Sequence, residues 1–128
     1  MTYLDTNILI YLLEGHPQYG EQIVAALEEL TGQGDLLVAS VITVTEFLAG
    51  TTSSNLDTLQ QIPKLRFAIL DDTLAGQAAG LQRKHSNLQI GAAIHLATAI
   101  REHATLFFTN DKQLAKVVAE YLQVRTLV

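Results

Sequence analysis

Three carboxylates stand out by their neighbours. Asp5 sits in Leu4-Asp5-Thr6-Asn7, where a short apolar run gives way to a helix-like pattern. Asp111 sits in Thr109-Asn110-Asp111, after a second such run. Glu46 lies within Val41-Ile42-Thr43-Val44-Thr45-Glu46-Phe47-Leu48, a segment apolar nearly all round. Charged residues are rarely buried unless paired. No Lys or Arg lies within four positions of Glu46, so a local helical ion pair is not available. Glu46 must therefore face water, meet a distant cation or bind a metal. The chain has no cysteine, which excludes disulfides, thiolate catalysis and Cys-ligated metals. Carboxylate oxygens without Cys or paired His suit a hard ion such as Mg2+ or Mn2+. An ion of that kind activates water and neutralises charge developing on a phosphate, which is what cutting a phosphodiester requires. The simpler reading of each Asp is a helix N-cap.

The elements that must position these residues alternate along the chain. Residues 2–4 read as a strand, followed by a helix near Asn7 that Gly15 stops. Pro17 opens a second helix, with Ile23, Val24, Leu27 and Leu30 at helical spacing. Further strands are expected at 36–39, 66–70, 106–109 and 124–127. Further helices are expected at 41–48, 54–61, 72–84, 88–102 and 111–121, with 88–102 apolar enough to lie in the interior. Short apolar strands alternating with helices predict an α/β fold, a parallel sheet with helices on both faces. In such sheets sites form beyond the carboxyl ends of the strands, at a switch in strand order. Asp5 and Asp111 both follow strands.

Composition narrows the function classes. The 128 residues fit one domain. An apolar fraction of 48% with 16% charged residues excludes a disordered chain. A net charge of −5 argues against binding long stretches of duplex DNA, which calls for a basic surface. A short nucleic-acid contact at a metal site stays open, because the ion supplies positive charge. The start, Met1-Thr2-Tyr3-Leu4-Asp5, has no signal-peptide pattern. The longest apolar stretch, 36–49, is broken by Ser40, Thr43, Thr45 and Glu46 and falls short of the ~20 apolar residues a membrane helix needs. A soluble cytoplasmic protein with no membrane partner is expected.

Four segments together carry a family resemblance: L-D-T-N-I-L-I-Y at 4–11, T-V-T-E-F-L-A-G at 43–50, A-I-H-L-A-T-A at 93–99 and T-N-D at 109–111. In order and spacing the chain resembles the PIN-domain family, specifically the small ribonuclease toxins of the VapC type. The resemblance implies a three-layer α/β/α PIN-like fold with a central parallel sheet of order 3-2-1-4-5. It implies a Mg2+- or Mn2+-dependent endoribonuclease acting on an RNA substrate, an antitoxin protein as partner, and a homodimer. By position, Asp5, Glu46 and Asp111 fall on the family's acidic metal-site residues. Thr109 falls on a polar neighbour of a site carboxylate, and Asn7 on a position read as holding the loop of Asp5.

One departure matters. The family's segment opens with an Asp, and here Ala92 stands in that place, as the position of the missing acid. Three carboxylates then remain rather than four. Losing one member of a catalytic unit commonly costs orders of magnitude in rate, so weak metal binding and very poor RNA cleavage are expected. Ala92 has three readings: an experimental inactivation, which Ala suits because it preserves a helix; a natural member that kept only its binding role; or compensation by a nearby group. His95, one turn on, is the nearest such group and is read mainly as packed near the site.

Other features carry less. His16, His85 and His103 have no zinc spacing. Arg83 and Lys84 suit a helix C-terminus and are candidate RNA contacts, as is Lys112 beside Asp111. A phosphorelay receiver is rejected: Thr6 follows Asp5 where a second acid is needed, and the end of the chain has no room for the required Lys loop. A dinucleotide-binding G-x-G-x-x-G after the first strand is absent. The alternative to a nuclease is a naturally non-catalytic PIN-like protein-binding module. Ile8, Leu12, Leu13 and residues 22–30 are candidates for an antitoxin groove.

Overall fold

The computed structural model describes residues 1–50 and 56–128. The elements follow in the order β1 (Thr2–Leu4), α1 (Thr6–Glu14), α2 (Gly20–Gly32), β2 (Leu37–Ser40), α3 (Ile42–Gly50), α4 (Leu56–Gln60), β3 (Leu65–Ala68), α5 (Asp72–Lys84), α6 (Ile90–Arg101), β4 (Leu106–Phe108), α7 (Lys112–Val118) and β5 (Gln123–Arg125). Local chemistry sets most ends. Gly15, in the left-handed region at φ 62°, donates its N–H to carbonyls of α1 and closes that helix. Asp71 caps α5 by accepting the Leu74 N–H, and Arg83 and Lys84 lie in its last turn, where cations suit the helix dipole. Ser40 Oγ accepts the Ile42 N–H at the start of α3.

Helix α2 starts three residues later than Pro17 predicts. The His16 imidazole accepts the N–H groups of Gln18 and Tyr19, which holds 17–19 in a turn. Gly20 then packs against the Gly15 backbone, where a Cβ would lie 3.2 Å from the Gly15 carbonyl carbon. The expected helix at 54–61 begins at positions that lie outside the described residues; its described part is α4. Among the described residues no helix is long and apolar enough to cross a membrane.

The five strands form one parallel sheet in the order β3-β2-β1-β4-β5. Strand alternation divides the core between its two faces. Tyr3, Val38 and Phe107 point to the face covered by α5, α6 and α7, where they meet Leu74, Leu96 and Leu114. Leu4, Leu37, Ala39 and Phe108 point to the other, against Ile8, Leu9, Ile23 and Leu27 of α1 and α2. Helix α6 is interior, with Ala93, His95, Leu96, Ala97, Thr98 and Ala99 all buried. The chain leaves β1 for β2 on one side and returns to β4 on the other, so the switch lies between β1 and β4. The residues that follow these two strands are Asp5 and Thr109.

Candidate functional site

The register Leu4 opposite Phe108 brings the two strand ends side by side. The Asp5 N–H donates to the Phe108 carbonyl at 3.0 Å. Thr109 Oγ1 donates to Asp5 Oδ2 at 2.6 Å, and Asp5 Oδ1 accepts the Thr6 N–H at 2.9 Å. The Thr109 hydroxyl also accepts the Asp111 N–H at 3.0 Å, so one oxygen links both aspartates. Asp5 is buried with both carboxylate oxygens engaged. Asp111 is exposed, and its Oδ1 accepts the N–H groups of Gln113 and Leu114, capping α7. Asn7 is exposed and makes no hydrogen bond to Asp5. Thr6 and Thr109 hold the loop instead.

Glu46 arrives from α3. Its Oε1 accepts from Thr6 Oγ1 at 2.7 Å and from His95 Nε2 at 2.8 Å. The same His95 nitrogen lies 3.7 Å from Asp5 Oδ1, so the two carboxylates approach one point. Beneath, the Tyr3 hydroxyl bonds to His95 Nδ1. That hydroxyl already accepts the Ser40 N–H at 3.1 Å. Tyr3 is fully buried, and its own hydrogen has one acceptor in reach, Nδ1. Nδ1 therefore accepts, and the ring proton sits on Nε2 facing Glu46. In that tautomer Nε2 has no lone pair to offer a metal.

The electrostatics agree with this arrangement. The His95 hydrogen bond, aided by Thr6, holds the Glu46 carboxyl below its usual 4.5 despite partial burial. Burial, reinforced by the charge of Asp5, pushes the Tyr3 phenol well above its usual 10.0, which keeps its hydrogen in place. Sequence reasoning did not find Tyr3, Thr6, Ser40 or Thr43, whose hydroxyl lies 3.0 Å from that of Thr6. The one local signal was a Thr between Asp5 and Asn7.

Ala92 and Asp111 line one cleft, together with the α5–α6 turn and α7. Lys84 lines it too. Lys112 does not: its ammonium donates to the Leu127 carbonyl at 2.8 Å. Arg83 is exposed on the last turn of α5, outside that lining. Among the described residues no group of three or more His, Cys, Asp or Glu side chains is arranged to hold a metal ion. The donors fit a hard divalent ion in kind, since Asp5 and Glu46 are carboxylates lying 3.7 and 2.8 Å from the same His95 nitrogen. They fall short in number, because Asp111 turns an oxygen to its own helix and position 92 offers a methyl group.

The PIN-domain family profile matches residues 2–120. The chain belongs to the PIN-domain family. PIN domains are in general metal-dependent nucleases. No curated protein matches this chain by sequence. Among solved structures, it is similar to a chain of a toxin–antitoxin complex from Klebsiella pneumoniae at 25% identity, covering 98% of this chain and 97% of that one, with a TM-score of 0.74. It shares its fold with a chain of VapBC2 from Rickettsia felis, bound to a DNA fragment from their promoter, at 20% identity, full coverage of both chains and a TM-score of 0.77. It does so too with a chain of FitAcB from Neisseria gonorrhoeae, at 24% identity, 97% and 96% coverage and a TM-score of 0.70. This PIN domain thus has the α/β architecture of toxin–antitoxin chains.

Proposed function

We propose that this PIN domain is the toxin component of a toxin–antitoxin pair, a metal-dependent endoribonuclease whose site is one carboxylate short at Ala92. The observation that carries the reading is that Asp5, from the end of β1, and Glu46, from α3, both lie within 3.7 Å of the same His95 nitrogen beside the β1/β4 switch. Asp111 is joined to the same place through the Thr109 hydroxyl. Asp5 and Glu46 would hold a Mg2+ or Mn2+ ion, with Asp111 at the rim, and such an ion supplies an activated water and neutralises phosphate charge. The protein's own part is to hold the carboxylates: Thr109 and the Thr6 N–H orient Asp5, and Thr6 and His95 orient Glu46. In this reading residues 1–128 form one PIN-like domain, which works in the cytoplasm on RNA, pairs as a homodimer and is restrained by an antitoxin protein.

A second reading also has an observation behind it. The buried polar side-chain atoms among the described residues all have partners without an ion. A site this self-sufficient suits a non-catalytic binding module of the same fold.

One comparison separates the two. Mn2+ affinity by calorimetry and cleavage of a structured RNA are measured for this chain and for Ala92→Asp. The nuclease reading expects the variant to bind Mn2+ tightly and to cut at least a hundredfold faster, on the order of the loss when a catalytic unit is broken. If neither protein binds the ion nor cuts, the binding module stands.

A further inference from the structure

Lys112 adjoins Asp111, yet its ammonium is turned to the Leu127 carbonyl, 2.8 Å away. Helix α7 does not account for a Lys here. Lys112 is the first residue of that helix, where the helix dipole opposes a cation. Its partner says more. Leu127 lies past the end of β5, an edge strand, so its carbonyl has no ladder partner. The Leu127 side chain is 2% exposed and belongs to the core cluster of Leu4, Ile8, Ile23 and Phe108. Leu127 is therefore a fixed anchor.

Residues 125–128 are gripped from two sides. On one side is α2. Gln22 exchanges two hydrogen bonds with the Val128 main chain, at 3.0 and 3.3 Å, and Glu29 pairs with Arg125 at 3.8 Å. Gln22 and Glu29 are seven positions apart, so they share a face of α2. On the other side is the acidic loop. The Thr109 N–H donates to the Arg125 carbonyl at 3.1 Å, and Lys112 donates to Leu127. Asp111 lies between these two ties. Its Oδ1 accepts the Gln113 and Leu114 N–H groups, and its Oδ2 has no partner among the described residues.

We propose that Lys112 is a positioning residue: anchored on Leu127, it fixes the start of α7 so that Asp111 keeps its free oxygen for the acidic site. This deepens the nuclease reading and rests on it. Gln22 holds the anchor, so a residue of α2 acts on Asp111 through residues 127 and 128. The ammonium is thereby committed to the protein rather than to RNA, the contact that its place beside Asp111 suggests.

The test is made in the Ala92→Asp background with Lys112→Met, Lys112→Arg, Gln22→Ala and the Lys112→Met/Gln22→Ala double variant. Mn2+ affinity is measured by calorimetry, kcat and KM on a structured RNA, and stability by urea denaturation. Lys112→Met is expected to weaken Mn2+ binding and lower kcat about tenfold each, the usual cost of losing a group that orients a ligand, with KM unchanged. Lys112→Arg restores both, because a guanidinium also donates to a carbonyl. Gln22→Ala gives a smaller loss of the same kind, although it touches neither an acid nor Lys112. The double variant is no worse than Lys112→Met, since both changes loosen one tie. With no metal present, hydrogen exchange at the Gln113 and Leu114 N–H groups quickens in Lys112→Met and in Gln22→Ala.

Four results overturn the proposal. If Ala92→Asp binds Mn2+ and cuts, and Lys112→Met matches it in both, the positioning role fails and the nuclease reading survives. If Lys112→Met raises KM and flattens its salt dependence while Mn2+ affinity holds, Lys112 is an RNA contact. If Lys112→Met lowers the urea midpoint and Lys112→Arg recovers the midpoint without the Mn2+ affinity, the tie is structural only. If Ala92→Asp neither binds Mn2+ nor cuts, the positioning role and the nuclease reading fail together.

Discussion

Tyr3 lies wholly inside the protein, and its hydroxyl decides which His95 nitrogen carries the ring proton. Removing that oxygen with Tyr3→Phe leaves the Ser40 N–H and His95 Nδ1 without partners in a buried place. A buried polar group left unmade costs about 1–3 kcal/mol. Urea denaturation of Tyr3→Phe is expected to show a stability loss in that range for each orphaned group. Nitrogen chemical shifts of the His95 ring are expected to report the Nε2-protonated form in the parent chain; the opposite tautomer would overturn the assignment. Asp5, Glu46 and Asp111 were legible as residues because a carboxylate after a strand, or inside an apolar segment, is conspicuous in a single line of text. Their supports were not. Tyr3 meets His95 across 92 positions, and Thr6 meets Glu46 across 40. A serine, threonine or tyrosine carries no sign of such a partner in its own neighbourhood.

At the scale of elements, Asp111 has two roles that must be separated. It caps α7, a helix of seven residues, and it is assigned to the metal site. Replacing an N-cap Asp by Ala costs about 0.5–2 kcal/mol, whereas Ser caps nearly as well. In the Ala92→Asp background, Asp111→Ala is expected to lose both stability and Mn2+ affinity, and Asp111→Ser to lose affinity while its denaturation midpoint stays near the parent's. Equal Mn2+ affinity in Asp111→Ser would leave Asp111 as a cap alone. Boundaries were legible where the chemistry is local: α5 spans Asp72–Lys84 as expected, with Asp71 as its cap and Arg83 and Lys84 in its last turn. They were misplaced where a side chain folds back on the backbone, as His16 does before α2.

At the scale of the whole molecule, three carboxyls that join distant elements are all held below their usual values. Glu46, usually 4.5, is lowered by the His95 hydrogen bond against partial burial. Asp35, usually 3.8, is partly desolvated, but hydrogen bonds from the N-terminal amine and Thr2 outweigh that. Asp71, also usually 3.8, is lowered by the Leu74 N–H and then by Arg101. Each binds its proton less readily folded than unfolded. Their stabilisation is therefore complete above the usual values and is lost as pH falls through them towards the lowered ones. The urea midpoint is expected to hold from neutral pH down to about 5 and to decline below about 4.5, with a smaller decline for Asp35→Asn. A midpoint unchanged down to pH 3 would count against these pairings.

The α/β class, the sheet with helices on both faces and the three candidate carboxylates were determined by the sequence alone. Those properties live in local patterns: apolar runs too short for helices, helical spacing between them, and acids placed where strands end. The strand order came with the family resemblance, and the parallel sheet bears it out. Only the tertiary structure decided what surrounds the acids. It set His95 Nε2 2.8 Å from Glu46 and 3.7 Å from Asp5, gave Asn7's expected work to Thr6 and Thr109, and tied Lys112 to Leu127. It also set Lys84 and Lys116 on one cleft. Hydrogen bonds and charge pairs reach a few ångströms through space, and no spacing along the chain says which residues will stand that close.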